Sequence, residues 1–138
     1  MRIPRLPSKA SLLIPLSALL LALTACTSAA QEPPMPRSAG LHSWYENGTG
    51  GRYVMLVIQG SVKSLALGSR AGTVLTDANC APDSQGLNHC HNIIRFRDGS
   101  QITIQNNHQM MRHRCLQPGE TVRVSRLAGR WVTIQTSH

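Results

Sequence analysis

The sequence predicts an all-β domain, a small closed barrel of five or six short strands. Three observations carry this. Apolar residues alternate with polar ones in several stretches, clearest at Ile94 and Phe96, Ile102 and Ile104, Val122 and Val124, and Val132 and Ile134. Glycine-bearing turns punctuate these stretches at Arg97-Asp98-Gly99, Gln117-Pro118-Gly119-Glu120 and Leu127-Ala128-Gly129. Beyond one turn at His108 to Arg114, nothing after residue 52 keeps helical spacing.

The chain has 138 residues, room for one domain and its tails. With one Phe, two Trp and two Tyr, the core must be built from Val, Ile and Leu. Fourteen Lys and Arg stand against six Asp and Glu, a balance that bears on partners and solubility rather than on fold. Part of that charge belongs to an export signal over residues 1–25. Arg2, Arg5 and Lys9 precede an apolar run from Ala10 to Leu23, and no acid occurs before Glu32. The run contains Pro15 and is shorter than the roughly 20 residues a membrane span needs. It ends in Leu23-Thr24-Ala25-Cys26, which resembles the lipobox of bacterial lipoproteins. The resemblance implies cleavage before Cys26, a lipid on its thiol and acylation of the new amino group, and so a lipid-anchored protein of the cell envelope. Several acyl chains anchor firmly, since each buried CH₂ contributes about 0.8 kcal/mol. Thr27 rather than Asp after the cysteine implies the outer membrane if the envelope is Gram-negative. The mature chain keeps eleven basic and six acidic residues, a net +5.

Residues 26–51 read as the lipidated cysteine and a Pro/Gly-rich tether, and residues 52–138 as the barrel. Glu32-Pro33-Pro34-Met35-Pro36 is stiff and Asn47-Gly48-Thr49-Gly50-Gly51 is flexible. Between them, Leu41 to Tyr45 reads as a cap over one open end of the domain, or as an aromatic pair at the membrane interface. The first strand runs from Tyr53 towards Leu67, interrupted at Gly60, with Val54, Leu56, Ile58 and Val62 on one face. Thr73 to Thr76 is a short second strand, and Asp77 to His91 a loop. For the third and fourth strands, a three-residue loop sets Ile94 opposite Ile102 and Gly99 at the left-handed bulge position. A two-residue turn would instead oppose apolar to polar side chains. The same loop type in the last hairpin pairs Val124 with Val132 and Val122 with Ile134. The pattern looks like an OB-type or SH3-like barrel, whose closure removes exposed edges. From Ile93 to Ile134 it also resembles the C-terminal domain of the glycine-zipper surface-antigen lipoproteins. The shared features are a strand ending in Asp-Gly, a second strand, and Pro118-Gly119-Glu120-Thr121-Val122-Arg123-Val124. The zipper itself is missing, and no functional residue is carried over.

Between Asn79 and Cys115 lie three of the four cysteines and four of the six histidines. In an exported chain the expectation for Cys80, Cys90 and Cys115 is one disulfide and a leftover thiol. Loop closure gives each pairing roughly 3–4 kcal/mol and does not choose among them. Antiparallel strands should bring Cys80, His89, Cys90, His91, His108, Met110, Met111, His113 and Cys115 to one pole, away from the Arg97-Asp98-Gly99 turn. The alternative to a structural pole is a metal site built from Cys90, His91, His108, Met110 and Cys115, a donor set suited to copper(I) or zinc. No cofactor is required by the main reading. A redox role is disfavoured because no Cys-x-x-Cys occurs.

Arg95, Arg97, Arg112, Arg114, Arg123, Arg126 and Arg130 meet only Asp98 and Glu120 over the same stretch. They form a solvated face or an anion-binding patch, since Arg forks fit phosphate and carboxylate. Export argues against nucleic acid. It favours anionic lipid, lipopolysaccharide, a cell-wall polymer or an acidic envelope protein. The sequence holds no nucleophile elbow, paired-carboxylate motif or phosphate loop. The expected function is a non-enzymatic interaction or structural module, with periplasmic copper or zinc binding as the alternative.

Overall fold

Even-numbered side chains of two neighbouring strands point the same way in the computed structural model, which describes residues 34–137. The export signal, Cys26 and the start of the tether lie outside the described residues. Six strands form: β1 (Arg52–Gln59), β2 (Arg70–Ala78), β3 (Asn88–Phe96), β4 (Gln101–His108), β5 (Thr121–Ala128) and β6 (Trp131–Gln135). They pair antiparallel in the order β1-β4-β3-β2-β5-β6, and β6 closes on β1. The small all-β barrel read from the sequence is the fold that forms.

The β3–β4 hairpin has the expected register. Ile94 faces Ile102, Phe96 N–H donates to Ser100 O, and Gly99 takes φ 85°, the left-handed conformation that glycine adopts at least cost. Ile94, Phe96, Ile102 and Ile104 all point into the barrel and are buried. Gly72 of β2, opposite Phe96, is glycine for a different reason: a Cβ there would lie 2.5 Å from Ile94 Cγ2.

Three expectations need correction. In β1 the inward residues are Tyr53, Met55 and Val57, not Val54, Leu56 and Ile58. Tyr53 to Ile58 is apolar without a break, because Val54 on the outer face is fully buried as well. Alternation therefore could not name the inner face. The last hairpin pairs Val124 with Ile134 and Arg126 with Val132, two residues from the expected register, and turns at Gly129-Arg130 after a bulge. Arg130 explains the turn: its Nε donates to Val57 O at 2.7 Å and its NH2 to Gly60 O at 3.1 Å, tying the turn to the end of β1. A two-residue shift keeps the same side chains inside.

The third correction concerns the tether. From Pro34 to Gly51 the chain is part of the folded unit and covers the outer face of β1 and β6, not an open end of the barrel. Ala39, Trp44, Val54 and Leu87 form a second core there, and Trp44 stacks on Trp131 with ring centroids 5.6 Å apart. Asn47 pins the segment. Its Oδ1 accepts from Val54 N at 2.7 Å, and its Nδ2 donates to Val54 O at 2.9 Å and Asn107 O at 2.8 Å, all in a fully buried position. In sequence, Asn47-Gly48 reads as a flexible turn; in the fold its amide replaces a missing strand partner for β1 and β4.

Substituting Asn47→Ala leaves three buried backbone groups without that partner. We expect a loss of about 2–4 kcal/mol in urea denaturation, read as a lower midpoint at unchanged slope.

Candidate functional site

The parity that buries Ile94 and Ile102 continues along both strands. Cys90 and Asn92 of β3, with Asn106 and His108 of β4, also face inward and are fully buried. The barrel interior is therefore apolar near the Arg97-Asp98-Gly99 turn and polar at the other end. Asp77, near the end of β2, and the loop between β4 and β5 complete that end.

The three sulfurs meet there. Cys80 and Cys90 form a disulfide, and Cys115 is the free cysteine. Cys115 Sγ lies 3.8 Å from Cys90 Sγ and 3.7 Å from His108 Nε2. One carboxylate oxygen of Asp77 and the sulfurs of Cys80, Cys90 and Cys115 all fall within 4.8 Å of one another. Asn92 holds the carboxylate, its Nδ2 donating to Asp77 Oδ1 at 2.9 Å and to Thr76 O at 3.0 Å. Two amide atoms beside this cluster, Asn92 Oδ1 and Asn106 Nδ2, are buried without a partner.

The electrostatics hold Cys115 as a thiol. Burial pushes its pKa up to about 11, and the Asp77 carboxylate adds to the rise by its charge and by accepting a hydrogen bond from the thiol. Burial likewise pushes the His108 imidazole below its ordinary value, so it stays neutral. Its Nδ1 faces Asn106 O at 3.5 Å, and its ring meets Tyr53 edge-on at 5.9 Å. Tyr53 in turn donates from its hydroxyl to Arg114 O at 2.6 Å, fastening the β4–β5 loop over the pole.

Of the five residues expected to ligate metal, the structure gathers Cys90, His108 and Cys115. It leaves His91 and Met110 apart. Strand alternation turns His91 to the outer face, where its Nδ1 meets Asn79 Nδ2 at 3.3 Å. Met110 is 42% exposed in the loop after β4. His89 is occupied by Asp83 at 2.9 Å and Asn107 at 2.7 Å, an arrangement that draws the Asp83 carboxyl down to about 2. The sequence reading missed Asp77 and left Cys80 out of the metal set. The available signal was Asp77-Ala78-Asn79-Cys80 at the end of a strand.

The arginines divide. Arg114 pairs with Glu120 at 2.8 Å, and Arg130 serves the β5–β6 turn. Arg112 sits in the β4–β5 loop, and Arg126 lies beside Leu65 to Ser69 at the rim. Arg95, Arg97 and Arg123 share one outer face. On it, β2 runs between β3 and β5 and presents Ala71 and Thr73 beside the arginines; Arg95 stands opposite Thr73, and Arg123 opposite Ala71. Arg97 follows Phe96, the partner of Gly72, and so stands on the other side of Ala71. Two shallow depressions, about 500 and 220 Å³, share Ala71 and Thr121 as floor; Arg95 and Arg97 line the first and Arg123 the second. Asp98 beside them is neutralised by Arg70 at 2.9 Å.

Cys115 should react slowly with iodoacetamide at pH 8, roughly a hundredfold below an unperturbed thiol, because only the thiolate attacks. The rate should rise about tenfold per pH unit until the thiol titrates near 11. Asp77→Asn removes the negative charge beside the thiol and should shift that profile to lower pH. A fast, flat profile in the native protein would contradict the placement of this half-buried thiol beside Asp77. Comparison with protein-family models, curated proteins and solved structures returns no match for this chain.

Proposed function

We propose that this protein is a lipid-anchored module of the bacterial cell envelope that binds phosphate-bearing anionic components through the outer face of β3, β2 and β5, without catalysing a reaction. The observation that carries the reading is the row Arg97–Ala71–Arg123. Neighbouring strands lie about 4.8 Å apart, so the two arginines flank a small residue at a backbone separation of about 10 Å. Long side chains at both rims and short ones on the floor leave room for a phosphate group between two guanidinium forks, that of Arg123 exchanging its hydrogen bond to Ser69 Oγ at 3.2 Å for the ligand. Arg95 adds a third charge on the β3 side.

Two further features support a binding role over a catalytic one. Every acidic side chain among the described residues is already engaged: Glu46 with His42 N–H, Asp77 with Asn92, Asp83 with His89, Asp98 with Arg70, and Glu120 with Arg114. The arginine groove, by contrast, holds Arg95 and Arg97 exposed and outside any ion pair among the described residues. Anchoring at Cys26 would keep such a face within reach of lipid headgroups and lipopolysaccharide phosphates.

The test uses the full chain in neutral nanodiscs, titrated calorimetrically with deacylated, phosphorylated lipopolysaccharide oligosaccharide. Binding should weaken as salt rises past about 0.15 M, where charges are screened beyond roughly 8 Å. Arg97→Glu with Arg123→Glu should weaken it at least tenfold, and enzymatic removal of the phosphates should do the same. Equal affinity for the double variant would overturn the reading.

A further inference from the structure

The anion-binding face makes no use of the sulfur pole at the opposite end of the barrel. From its geometry we infer that the pole is a redox-gated site for a thiophilic d¹⁰ metal ion, zinc(II) or copper(I), held by Cys80, Cys90 and Cys115 with Asp77 as the fourth donor. The Cys80–Cys90 disulfide is its closed state.

The donor spacing supports this. Zinc–thiolate bonds of about 2.3 Å place two sulfurs of a tetrahedral site about 3.8 Å apart. Cys115 already stands 3.8 Å from Cys90, and all four donor atoms lie within 4.8 Å of one another. Closing the set onto one ion takes sub-ångström to ångström shifts, together with opening of the disulfide. The donor types select the metal: three sulfurs suit zinc and copper(I), ions that impose no geometry through their d electrons.

The surroundings resemble those of ligands held from behind. Asn92 is fully buried, donates to the Asp77 carboxylate at 2.9 Å, and keeps its own Oδ1 without a partner. Outer hydrogen bonds of this kind orient ligating carboxylates. His108 is fully buried with Nε2 3.7 Å from Cys115 Sγ, where it can accept a hydrogen bond from the thiol. No fully buried carboxylate or arginine competes with the half-buried Asp77 for the cluster among the described residues.

The chemistry balances in two steps. A dithiol reductant passes two electrons and two protons to the Cys80–Cys90 bond, giving two thiols and leaving as its own cyclic disulfide. The metal ion then replaces one proton on each sulfur it binds, and these protons go to solvent; zinc bound by all three releases three. While the disulfide stands, two of the three sulfurs carry no charge to offer a cation, so metal affinity follows the redox state.

The full chain in detergent, reduced with dithiothreitol under argon and freed of reductant, is titrated with cobalt(II) as a coloured stand-in for zinc. We expect one equivalent to develop the visible bands of tetrahedral thiolate coordination, and zinc to bleach them. A parallel arm titrates copper(I) against bicinchoninate, so the two ions are told apart by relative affinity. Bound zinc should protect Cys80, Cys90 and Cys115 of the wild-type chain from alkylation, a readout that depends on no variant folding. Cys115→Ser and Asp77→Asn should each weaken binding at least about tenfold, the lower end of what losing a group that merely orients a ligand costs, while His91→Ala and Met110→Ala leave it unchanged. The oxidised chain should bind neither ion. Equal alkylation with and without zinc, absence of a one-to-one complex with either ion in the reduced chain, or equal binding by the oxidised chain would overturn the inference.

Discussion

The pairing of Ile94 with Ile102 is the constraint on which the rest of the structure depends. Side chains along a strand alternate with a period of two, so one pairing decides the direction of every residue in β3 and β4. It sends Ile94, Phe96, Ile102 and Ile104 into an apolar core. By the same parity it also sends Cys90, Asn92, Asn106 and His108 inside, at the far end of the same two strands. The polar pole is thus a consequence of the register that builds the core. Its cost is visible in the orphaned atoms Asn92 Oδ1 and Asn106 Nδ2, since an unpaired buried amide group loses about 1–3 kcal/mol of solvation.

Alternation also separates the two candidate sites. Odd-numbered Arg95 stands outside the same strand that carries Cys90 inside, so β3 lends one face to the arginine groove and the other to the sulfur cluster. The connections enforce the division along the barrel axis as well. The Arg97-Asp98-Gly99 turn marks one end, and Cys80, at the close of β2, together with Cys115, before β5, marks the other. Charge pairing then decides which arginines remain available. Glu120 takes Arg114 and Asp98 takes Arg70, while backbone carbonyls of the first strand's end take Arg130.

Much of the fold was legible because its signals were local. Gly99, with Ile94 and Phe96 before it and Ile102 and Ile104 after it, identified the central hairpin and its register. The gathering of Cys80, Cys90 and Cys115 followed from antiparallel connection alone. What escaped depended on partners distant in sequence. The inner face of β1 was hidden because Trp44, in the segment before it, and Leu87, far along the chain, bury Val54 from outside and erase the alternation. The last hairpin lies two residues from the expected register because Arg130 is recruited by carbonyls at and just beyond the end of β1, 70 or more positions away. Asn47 looked like a turn former, and its role as a buried bridge exists only once β1 and β4 lie side by side. In the site, Asp77 was overlooked since its carboxylate gains meaning from Asn92 on the neighbouring strand and from Cys115 beyond it.

One hairpin register creates both the core and the pole, and it is read most directly in the pattern of Hα–Hα nuclear Overhauser effects between β3 and β4. Phe96 and Ser100 form a hydrogen-bonded pair, so Arg95–Gln101, Ile93–Thr103 and His91–Gln105 are the non-hydrogen-bonded pairs, with Cα atoms about 4.5 Å apart. Cross-peaks are predicted between the Hα protons of those three pairs. Cross-peaks for Phe96–Gln101 and Ile94–Thr103 instead would mean a two-residue turn at Asp98-Gly99. They would turn one strand inside out and contradict the account of the core and of the sulfur pole together.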